Sequence, residues 1–448
     1  MIKRIRICQS VVVSLSGIIL LFATSAQASG DRRVVQPPQL SQPVCTTLSP
    51  EAHQSSTSVQ HRLQQALNQC PAGQAVRLTS GPQGNTFKSG PLQIPSGVFL
   101  RLDAGSVLLA DNDPRRYDTG QGHCGTIDQK GGGCRAFISM VNSVGGGIEG
   151  EGTIDGQGGE RIAGQNETWW EMARRAQSVT GGRQNAPRLI QIDDAHDIVI
   201  YGVRLRHAPN FHIVLNHVQG ATLWGVIIDT PATARNTDGI DPGASQDVTI
   251  THSFIRTGDD NIAIKAGSGP SRHLSITDNH FYSGHGMSIG SEVNAGVSDV
   301  LVRNLTLDGT TSGLRIKSDA SRGGLVSDIL YSHICMRNTR WPVSFDTHYS
   351  PTASGTSLPE YRNIILRDVN ASGDRPATVI LRGYDASHPL MVRMDGVTFS
   401  PGTQWVTEFA RLTSGANGIQ PSPPATINPV AAHYSPIDCS EQWVPFPA

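Results

Sequence analysis

A short pattern of apolar and polar residues recurs along the chain from about residue 196. Each copy is a polar residue, an alternating apolar run and a small or polar break, as in Ser245–Ile250 and Ser298–Val302. β-Branched residues at every second position predict short strands rather than helices. Equivalent apolar positions are separated by 23, 27, 26, 26, 29 and 35 residues, and they are Ile200, Leu223, Ile250, Ile276, Val302, Tyr331 and Leu366.

Repeats of this length predict an all-β solenoid, in which each coil covers the apolar face of the next. The 48 glycines can supply the tight corners that such coils need. A β-propeller is the alternative, but its blades need roughly 40 or more residues each. Although the length alone would suggest two or three domains, the repetition predicts one domain over residues 29–448.

A short N-terminal helix is expected to cover the open end of the solenoid, since a terminal coil otherwise exposes its core. It follows the N-cap candidates Ser55–Thr57, and its apolar residues at helical spacing are Val59, Leu63, Ala66, Leu67 and Cys70. Residues Ser414–Pro429 are rich in Gly, Pro, Ser and Asn, which predicts a loop near the other end.

The first 28 residues have the organisation of a signal peptide. Three basic residues precede an apolar stretch of 13 residues, Val11–Ala23, and Ala26–Ala28 supplies the small residues of a cleavage site. Spanning a bilayer takes about 20 residues, so an uncleaved membrane anchor is the weaker alternative. We therefore expect a secreted protein, cleaved near Ala28 and free of the membrane once mature.

Charge and cysteine content restrict the possible partners. Without the leader the chain has 33 basic and 37 acidic residues, which argues against nucleic-acid binding through a global basic field. Six cysteines remain and allow 15 pairings. Proximity in sequence favours Cys45 with Cys70 and Cys124 with Cys134, leaving Cys335 for Cys439. Zinc binding is the rival interpretation, but no Cys-x-x-Cys spacing supports it.

Four segments inside the coils carry candidate chemistry, namely Asn236–Asp241, Gly258–Lys265, Gly284–Gly290 and Leu314–Lys317. Aligning their apolar positions, Ile240, Ile262, Met287 and Leu314, places Asp238, Asp260 and His285 two residues ahead on three successive coils. Parallel strands lie about 4.8 Å apart, so these groups and Asp259 should meet. Crowded carboxylates repel, and at least one should hold its proton more tightly than a free Asp. A protonated acid beside ionised neighbours is suited to cleaving glycosidic bonds.

Strict alternation would point this column inward, so the hypothesis requires it to lie in the turns before the strands. On the strand itself, Arg315 and Lys317 should point outward, with Lys265 in the Lys317 column, where cations could bind a uronate carboxylate. Taken singly, Asp-Gly more often marks a turn, an Asp pair is more often solvated or calcium-binding, and alternating cations usually form a solvated strand face. Their coincidence on consecutive coils favours a site.

These motifs resemble glycoside hydrolase family 28, the polygalacturonases, over about residues 150–349. Gly152–Gly156, Ala208–His212 and Asp346–Tyr349 add to the resemblance. It implies a right-handed parallel β-helix that hydrolyses α-1,4-linked galacturonan by single displacement with inversion. By motif, the general acid corresponds to Asp259, the water-positioning pair to Asp238 and Asp260, and the residue that tunes the acid to His285. The resemblance also implies that the sugar is bound by Arg315, Lys317 and Tyr349, and we add Lys265 and Asn236 as substrate-binding candidates.

Several alternatives stay open at this level. Inverting enzymes usually separate their carboxyls by about 6.5–9.5 Å, which is wider than adjacent coils suggest. A pectate lyase on the same architecture would need calcium and an Arg base, and a secreted adhesin would need no catalysis. The absence of an extra domain favours endo action. We expect a monomer that acts on polygalacturonate without a metal or other cofactor.

Overall fold

The computed structural model describes residues 27–424 and 436–448, and in them the chain winds into a right-handed parallel β-helix. One parallel sheet system contains 29 strands. A separate antiparallel pair joins Ile127–Asp128 to Arg183–Gln184. The solenoid prediction is therefore confirmed.

The helices and strands are numbered in chain order. The first coils contain β1 Val44–Leu48, α1 Ser56–Gln69, β2 Ala75–Leu78, β3 Thr86–Ser89, β4 Leu92–Gln93, β5 Phe99–Leu102, β6 Val107–Ala110, α2 Pro114–Tyr117, β7 Ile127–Asp128, β8 Ile138–Val141, β9 Gly147–Gly150, β10 Thr153–Asp155, α3 Trp169–Ala176 and β11 Arg183–Gln184. The central coils contain β12 Ile190–Tyr201, β13 Arg204–Arg206, β14 Ile213–Trp224, β15 Ile227–Asp229, β16 Ile240–Gly243, β17 Gln246–Thr251, β18 Phe254–Arg256, β19 Ile262–Ile264, β20 Ser271–Phe281, β21 Met287–Gly290, β22 Val297–Asp308 and β23 Ser312–Lys317. The last coils contain β24 Leu325–Arg337, β25 Trp341–Asp346, β26 Glu360–Ser372, β27 Thr378–Arg382, β28 Leu390–Phe399, β29 Gln404–Glu408, β30 Ala410–Ser414 and β31 Ile419–Gln420, followed by a 3-10 turn at Ser440–Gln442.

The seven apolar positions that define the repeat stack directly on one another. Ile200 pairs with Leu223, and the ladder continues through Ile250, Ile276, Val302 and Tyr331 to Leu366. Each of these side chains is fully buried. Burial of one such column by the next coil is the main favourable term that holds the solenoid together.

The polar residue directly before the apolar run of each repeat forms a corner of the coil. It adopts a left-handed backbone conformation, with φ between +51° and +58° at Asp197, Asp247, His273, Asp299, Asp328 and Asn363. Asp, Asn and His tolerate this conformation better than other residues with a Cβ. The recurring polar position is therefore explained by backbone geometry as well as by exposure.

The predicted capping helix is α1. Ser55 is its N-cap and accepts a hydrogen bond from the backbone N–H of Ser58, while Val59, Leu63 and Leu67 are buried against the first coils. Two further helices, α2 and α3, were not predicted. α3 begins with a capping box in which Thr168 and Glu171 satisfy each other's backbone N–H groups. The predicted loop at 414–429 contains the short strand β31, and residues 425–429 lie outside the described residues.

The three predicted disulfides, Cys45–Cys70, Cys124–Cys134 and Cys335–Cys439, are all present. Because every cysteine after the leader is paired, the zinc alternative is wrong. No helix within residues 27–424 and 436–448 is long and apolar enough to cross a membrane.

Both terminal segments run back along the outside of the solenoid. The N-terminal strap, residues 29–33, crosses four successive coils. The backbone N–H of Ser29 donates to Asp299 at 2.7 Å, that of Asp31 donates to Ser275 Oγ at 2.9 Å, and Arg32 and Arg33 reach Asp247 and the carbonyl of Ala221. The C-terminal segment crosses a different set of outward side chains, with contacts to Arg337, Tyr282, Arg256 and Arg204.

Candidate active site

Three short strands place the predicted acidic column. Ile240 pairs with Ile262, Ile262 with Met287 and Met287 with Leu314, which is the predicted register. Asp238, Asp260 and His285 therefore lie two residues ahead of their strands, in the turns, as the hypothesis required.

The turns approach one another closely enough to form backbone hydrogen bonds between coils. Gly239 N–H donates to the Asp260 carbonyl at 2.9 Å, and His285 N–H donates to the Asp259 carbonyl at 2.8 Å. A Cβ at Gly258 would lie 1.9 Å from the carbonyl oxygen of Ala234. Gly258 is thus required for the turn that carries the two neighbouring aspartates.

Asp259 is the partly exposed carboxylate of the cluster, with a side chain that is 19% accessible. Its Oδ1 lies 3.1 Å from His285 Nδ1 and accepts a hydrogen bond from the backbone N–H of Asp260. Asn236 Nδ2 is 3.5 Å from Asp259 Oδ2. The structure therefore brings His285 and Asn236 to the predicted acid.

Asp260 is buried and surrounded by donors. Ser288 Oγ donates to its Oδ1 at 2.7 Å, Arg315 Nη1 lies 3.3 Å from Oδ1, and Lys317 Nζ donates to Oδ2 at 2.7 Å. Burial by itself raises the pKa of Asp260, but the charges of Lys317, Arg315 and Lys265 outweigh it and hold that pKa well below its usual range. Asp260 is consequently an anion over the working range of pH.

The basic residues lie where the strand alternation predicted. Arg315 and Lys317 point outward from β23, and the ring of Tyr349 lies 5.5 Å from the Arg315 guanidinium carbon and 5.3 Å from Lys317 Nζ. Both cations also face Asp260, and Lys317 is buried. They can therefore neutralise the acidic cluster and also meet an anionic ligand at its open side.

Lys265 shares the Lys317 column, as predicted. Ile264 pairs with Ile289, and the next positions on the two following strands are Gly290 and Lys317. Its Nζ lies 3.2 Å from Glu292 Oε2. Burial lowers the pKa of Lys265, but Glu292, Asp241 and Asp238 raise it by more, so Lys265 stays charged.

A second pair of carboxyls lies deeper in the site. Asp238 and Asp241 are buried, and among the described residues the Oδ1 atom of each has no hydrogen-bond partner. Burial and then the charges of Asp241, Asp259 and Asp260 raise the pKa of Asp238 well above its usual range. Burial likewise raises the pKa of Asp241 to about 7. An unpaired buried carboxylate is costly, so these two groups are the natural holders of a proton.

These directions favour a proton on Asp238 and Asp241 rather than on Asp259, the predicted acid. Burial raises the pKa of Asp259, yet the His285 hydrogen bond and the charges of His285 and Lys317 lower it further than burial and Asp260 raise it. Strand register could predict the crowding of the carboxyls. It could not predict which carboxyl would face cations and which would be buried without them.

Several residues of the site were missed by the sequence-based prediction. Ser288 and Asp241 occupy the same outward column as Arg315, one residue after the aligned apolar positions. Strict alternation along the quoted segments could have found both. Gln184 donates to Asn236 Oδ1 at 3.0 Å and lies on β11, outside the repeat, so no sequence pattern pointed to it.

A metal ion is a possible occupant to consider, because ligand atoms of Asp259, Asp260 and His285 lie within 4.8 Å of one another. Both Asp260 oxygens already face cations, however. A divalent ion would have to displace Lys317 or be repelled by it. The arrangement is better suited to proton transfer around an anionic ligand.

Comparison with known proteins gives a consistent family. The model of the family described as glycosyl hydrolases family 28 matches residues 116–416. An endo-polygalacturonase of Pectobacterium parmentieri is 44% identical over 397 residues, which cover 88% of this chain and 96% of that protein. A polygalacturonase of Ralstonia solanacearum is 42% identical and covers 75% of this chain and 72% of its own.

Solved structures agree with the fold. A polygalacturonase from Erwinia carotovora ssp. carotovora superposes with a TM-score of 0.81 at 41% identity, covering 85% of this chain and 99% of that one. An exopolygalacturonase from Thermotoga maritima superposes with a TM-score of 0.70 at 21% identity, covering 87% of this chain and 94% of its own. The second likeness is informative about the fold alone.

The buried Asp241 should make stability depend on pH. Its carboxyl has a pKa of about 7 in the folded protein and about 3.9 in an unfolded chain. The folded state binds this proton more tightly, so stability is present at low pH and is lost as the pH rises from about 4 to about 7. Asp241→Asn removes this loss. The melting temperature of the variant minus that of wild type should therefore increase by about 3 °C or more from pH 4 to pH 8.

The measurement is thermal unfolding of both proteins at several pH values. Asp374→Asn, at an exposed position, is the matched control and should stay at a constant offset from wild type. An Asp241→Asn offset that does not change with pH would contradict this assignment.

Proposed function

The chain belongs to family 28 of the glycosyl hydrolases, and on this premise we propose that it hydrolyses α-1,4 bonds inside polygalacturonate chains, with Asp259 as the general acid. Two relatives with 44% and 43% identity are endo-polygalacturonases, which supports endo action on this polymer. The observation that carries the proposal is the contact of one partly exposed carboxyl, Asp259, with His285 beside the buried anion Asp260.

Each catalytic role follows from the surroundings of the residue. Asp259 is accessible enough to reach a glycosidic oxygen, and it donates its proton to the departing sugar. Asp238 and Asp260 orient a water molecule, and the anion Asp260 accepts its proton as the water attacks the anomeric carbon. Asp260 suits this role because Ser288, Arg315 and Lys317 hold it as an anion in a fixed position.

Asp259 must be protonated to act as the general acid, and binding of the substrate can favour its protonation. A uronate that binds Arg315 and Lys317 adds a negative charge beside Asp259 and excludes water from it. Both changes favour the protonated carboxyl. The pKa of Asp259, lowered in the free protein chiefly by His285, should therefore rise on binding, and His285 can pass it the proton.

Inversion by single displacement is part of the proposal. The nearest oxygens of Asp259 and Asp260 lie within 4.8 Å, which is closer than the roughly 6.5–9.5 Å usual for inverting enzymes. Nucleophilic attack by Asp260 is nevertheless disfavoured, because both of its oxygens are engaged by donors. Water is then the remaining nucleophile.

Substrate recognition is assigned to the cations at the open side of the site. Arg315 offers a planar match to a carboxylate, Lys317 adds charge, and Tyr349, 41% exposed, offers a ring face to the sugar. Lys265, which faces Glu292, and Asn236, which lies beside Asp259, complete the proposed binding set. We expect one catalytic domain over residues 29–448, acting as a monomer and binding neither nucleic acid nor membrane.

Export with cleavage after Ala28 is also proposed. Cleavage there would convert the Ser29 N–H, 2.7 Å from Asp299 Oδ1, into an ammonium group. An ammonium–carboxylate contact is stronger than the amide contact that it replaces. The mature N-terminus would thus be held on the surface of the solenoid.

Asp259→Asn should reduce turnover of polygalacturonate by about 10²–10⁴-fold, because the amide cannot donate the required proton. Binding of oligogalacturonate, followed by calorimetry, should change little. Product is measured as reducing ends in the presence of a chelator, without the ultraviolet absorbance of unsaturated ends. Asp374→Asn is the control and should keep full activity, and undiminished turnover by Asp259→Asn would exclude Asp259 as the acid.

The exported protein should begin at Ser29, as read by N-terminal sequencing or mass spectrometry. A variant with one additional residue before Ser29 should melt about 1–2 °C lower, because the ammonium group moves away from Asp299. In an Asp299→Asn background the same extension should have no effect. An exported chain that retains the leader would refute the cleavage proposal.

A further inference from the structure

The N-terminal strap fills a groove along one corner of the solenoid but does not fill all of it. The strap crosses the coils of Ala221, Asp247, Ser275 and Asp299. The next coils in the same corner ladder carry Asp328 and Asn363. Beside them lies an open cavity of about 800 Å³. Within residues 27–424 and 436–448, the path that an extended peptide occupies on earlier coils therefore continues as an open cleft on later ones.

Three arginines line this open part, which we call the basic groove (Arg362, Arg393 and Arg411, with Asn363, Met391 and Thr413). Arg393 pairs with Ile365 on one side and Thr413 on the other, and Arg411 pairs with Met391. The guanidinium groups thus come from successive coils, whose backbones are about 4.8 Å apart. Cations are presented repeatedly along the axis of the groove.

Most of this positive charge is not neutralised within the described chain. Arg362 contacts Glu360 at 3.2 Å. Arg393 and Arg411 have neither a hydrogen bond nor an ion pair with any described residue, and both are exposed. The one acid in the lining, Asp328, already accepts hydrogen bonds from Asn363 and Ser327. Isolated arginines on a surface are commonly only solvated, but these converge on one concave site.

The groove lies on a different face from the catalytic cluster. The catalytic residues belong to the short strands β16, β19, β21 and β23 and the turns before them, whereas the groove is formed by the long strands β24, β26 and β28 and by β30. In each coil a turn separates the two, as residues 318–324 do between β23 and β24. A ligand in the groove would leave the catalytic cluster free.

We propose that the basic groove is a second, noncatalytic binding site for polygalacturonate. The identity of the polymer rests on the proposed function, whereas the location of the binding site rests on the residues of the groove. An extended chain with one carboxylate on each sugar matches a row of guanidinium groups, each of which can bind a carboxylate through two parallel hydrogen bonds. The exposed Met391 provides an apolar contact for a sugar ring.

Binding at the groove would raise the concentration of polymer at the catalytic cluster. A polymer bound at one site is tethered near the other, which raises its effective concentration there. The protein should therefore bind long chains more tightly than either site would alone. Short oligomers cannot reach both sites and gain nothing. The groove should therefore affect polymeric substrate selectively.

The test compares Arg393→Gln/Arg411→Gln with Lys88→Gln, which removes an exposed cation near the other end of the solenoid. Binding to immobilised polygalacturonate is measured in an Asp259→Asn background at low and moderate salt. The double variant should bind about tenfold more weakly at low salt, and the difference should shrink as salt rises. Lys88→Gln should bind like its parent.

Activity is measured without the Asp259 substitution. On short oligogalacturonates, kcat/KM of the double variant should stay within about twofold of wild type, while its rate on dilute polymer falls severalfold. Equal polymer binding by the double variant and Lys88→Gln would overturn the second site and leave the hydrolase proposal intact. A parallel loss on short oligomers, with an unchanged melting temperature, would also overturn it, because the groove would then serve the catalytic site.

Discussion

In-register stacking of parallel coils is the constraint on which the site depends. The strand spacing of about 4.8 Å is enforced by the ladder of buried positions that includes Ile250, Ile276 and Val302. The same spacing brings turns at Asp238, Asp260 and His285 into contact, although they are far apart in the chain. Gly258 permits that contact because no Cβ would fit against Ala234. The stacking that packs the core therefore also assembles the site.

The crowded carboxyls of the site differ in their surroundings, and these surroundings decide which carboxyl is ionised. Asp260 faces Lys317, Arg315 and Ser288 and is held as an anion. Asp238 lies deeper, and burial together with neighbouring carboxylates raises its pKa well above the usual range. Asp259 remains at the open edge beside His285. Chemically identical side chains thus acquire different roles, and an arriving uronate can change the balance because it competes for the same cations.

The sequence allowed prediction of features that depend on short-range pattern and register. The stacked apolar ladder, the α1 cap, the three disulfides and the alignment of Asp238, Asp260 and His285 are confirmed. Features that depend on tertiary surroundings could not be predicted. They include the pairing of Lys265 with Glu292, the orphaned oxygens of Asp238 and Asp241, and the strap that reaches Asp299 across 270 residues.

The most direct test of the account is a crystal structure of Asp259→Asn with an oligogalacturonate spanning the site. The glycosidic oxygen should lie within about 3.2 Å of the residue 259 side chain, with a uronate on Arg315 and Lys317 and a water molecule between Asp238 and Asp260. A sugar chain whose glycosidic oxygens all lie beyond hydrogen-bond reach of residue 259 would contradict the account.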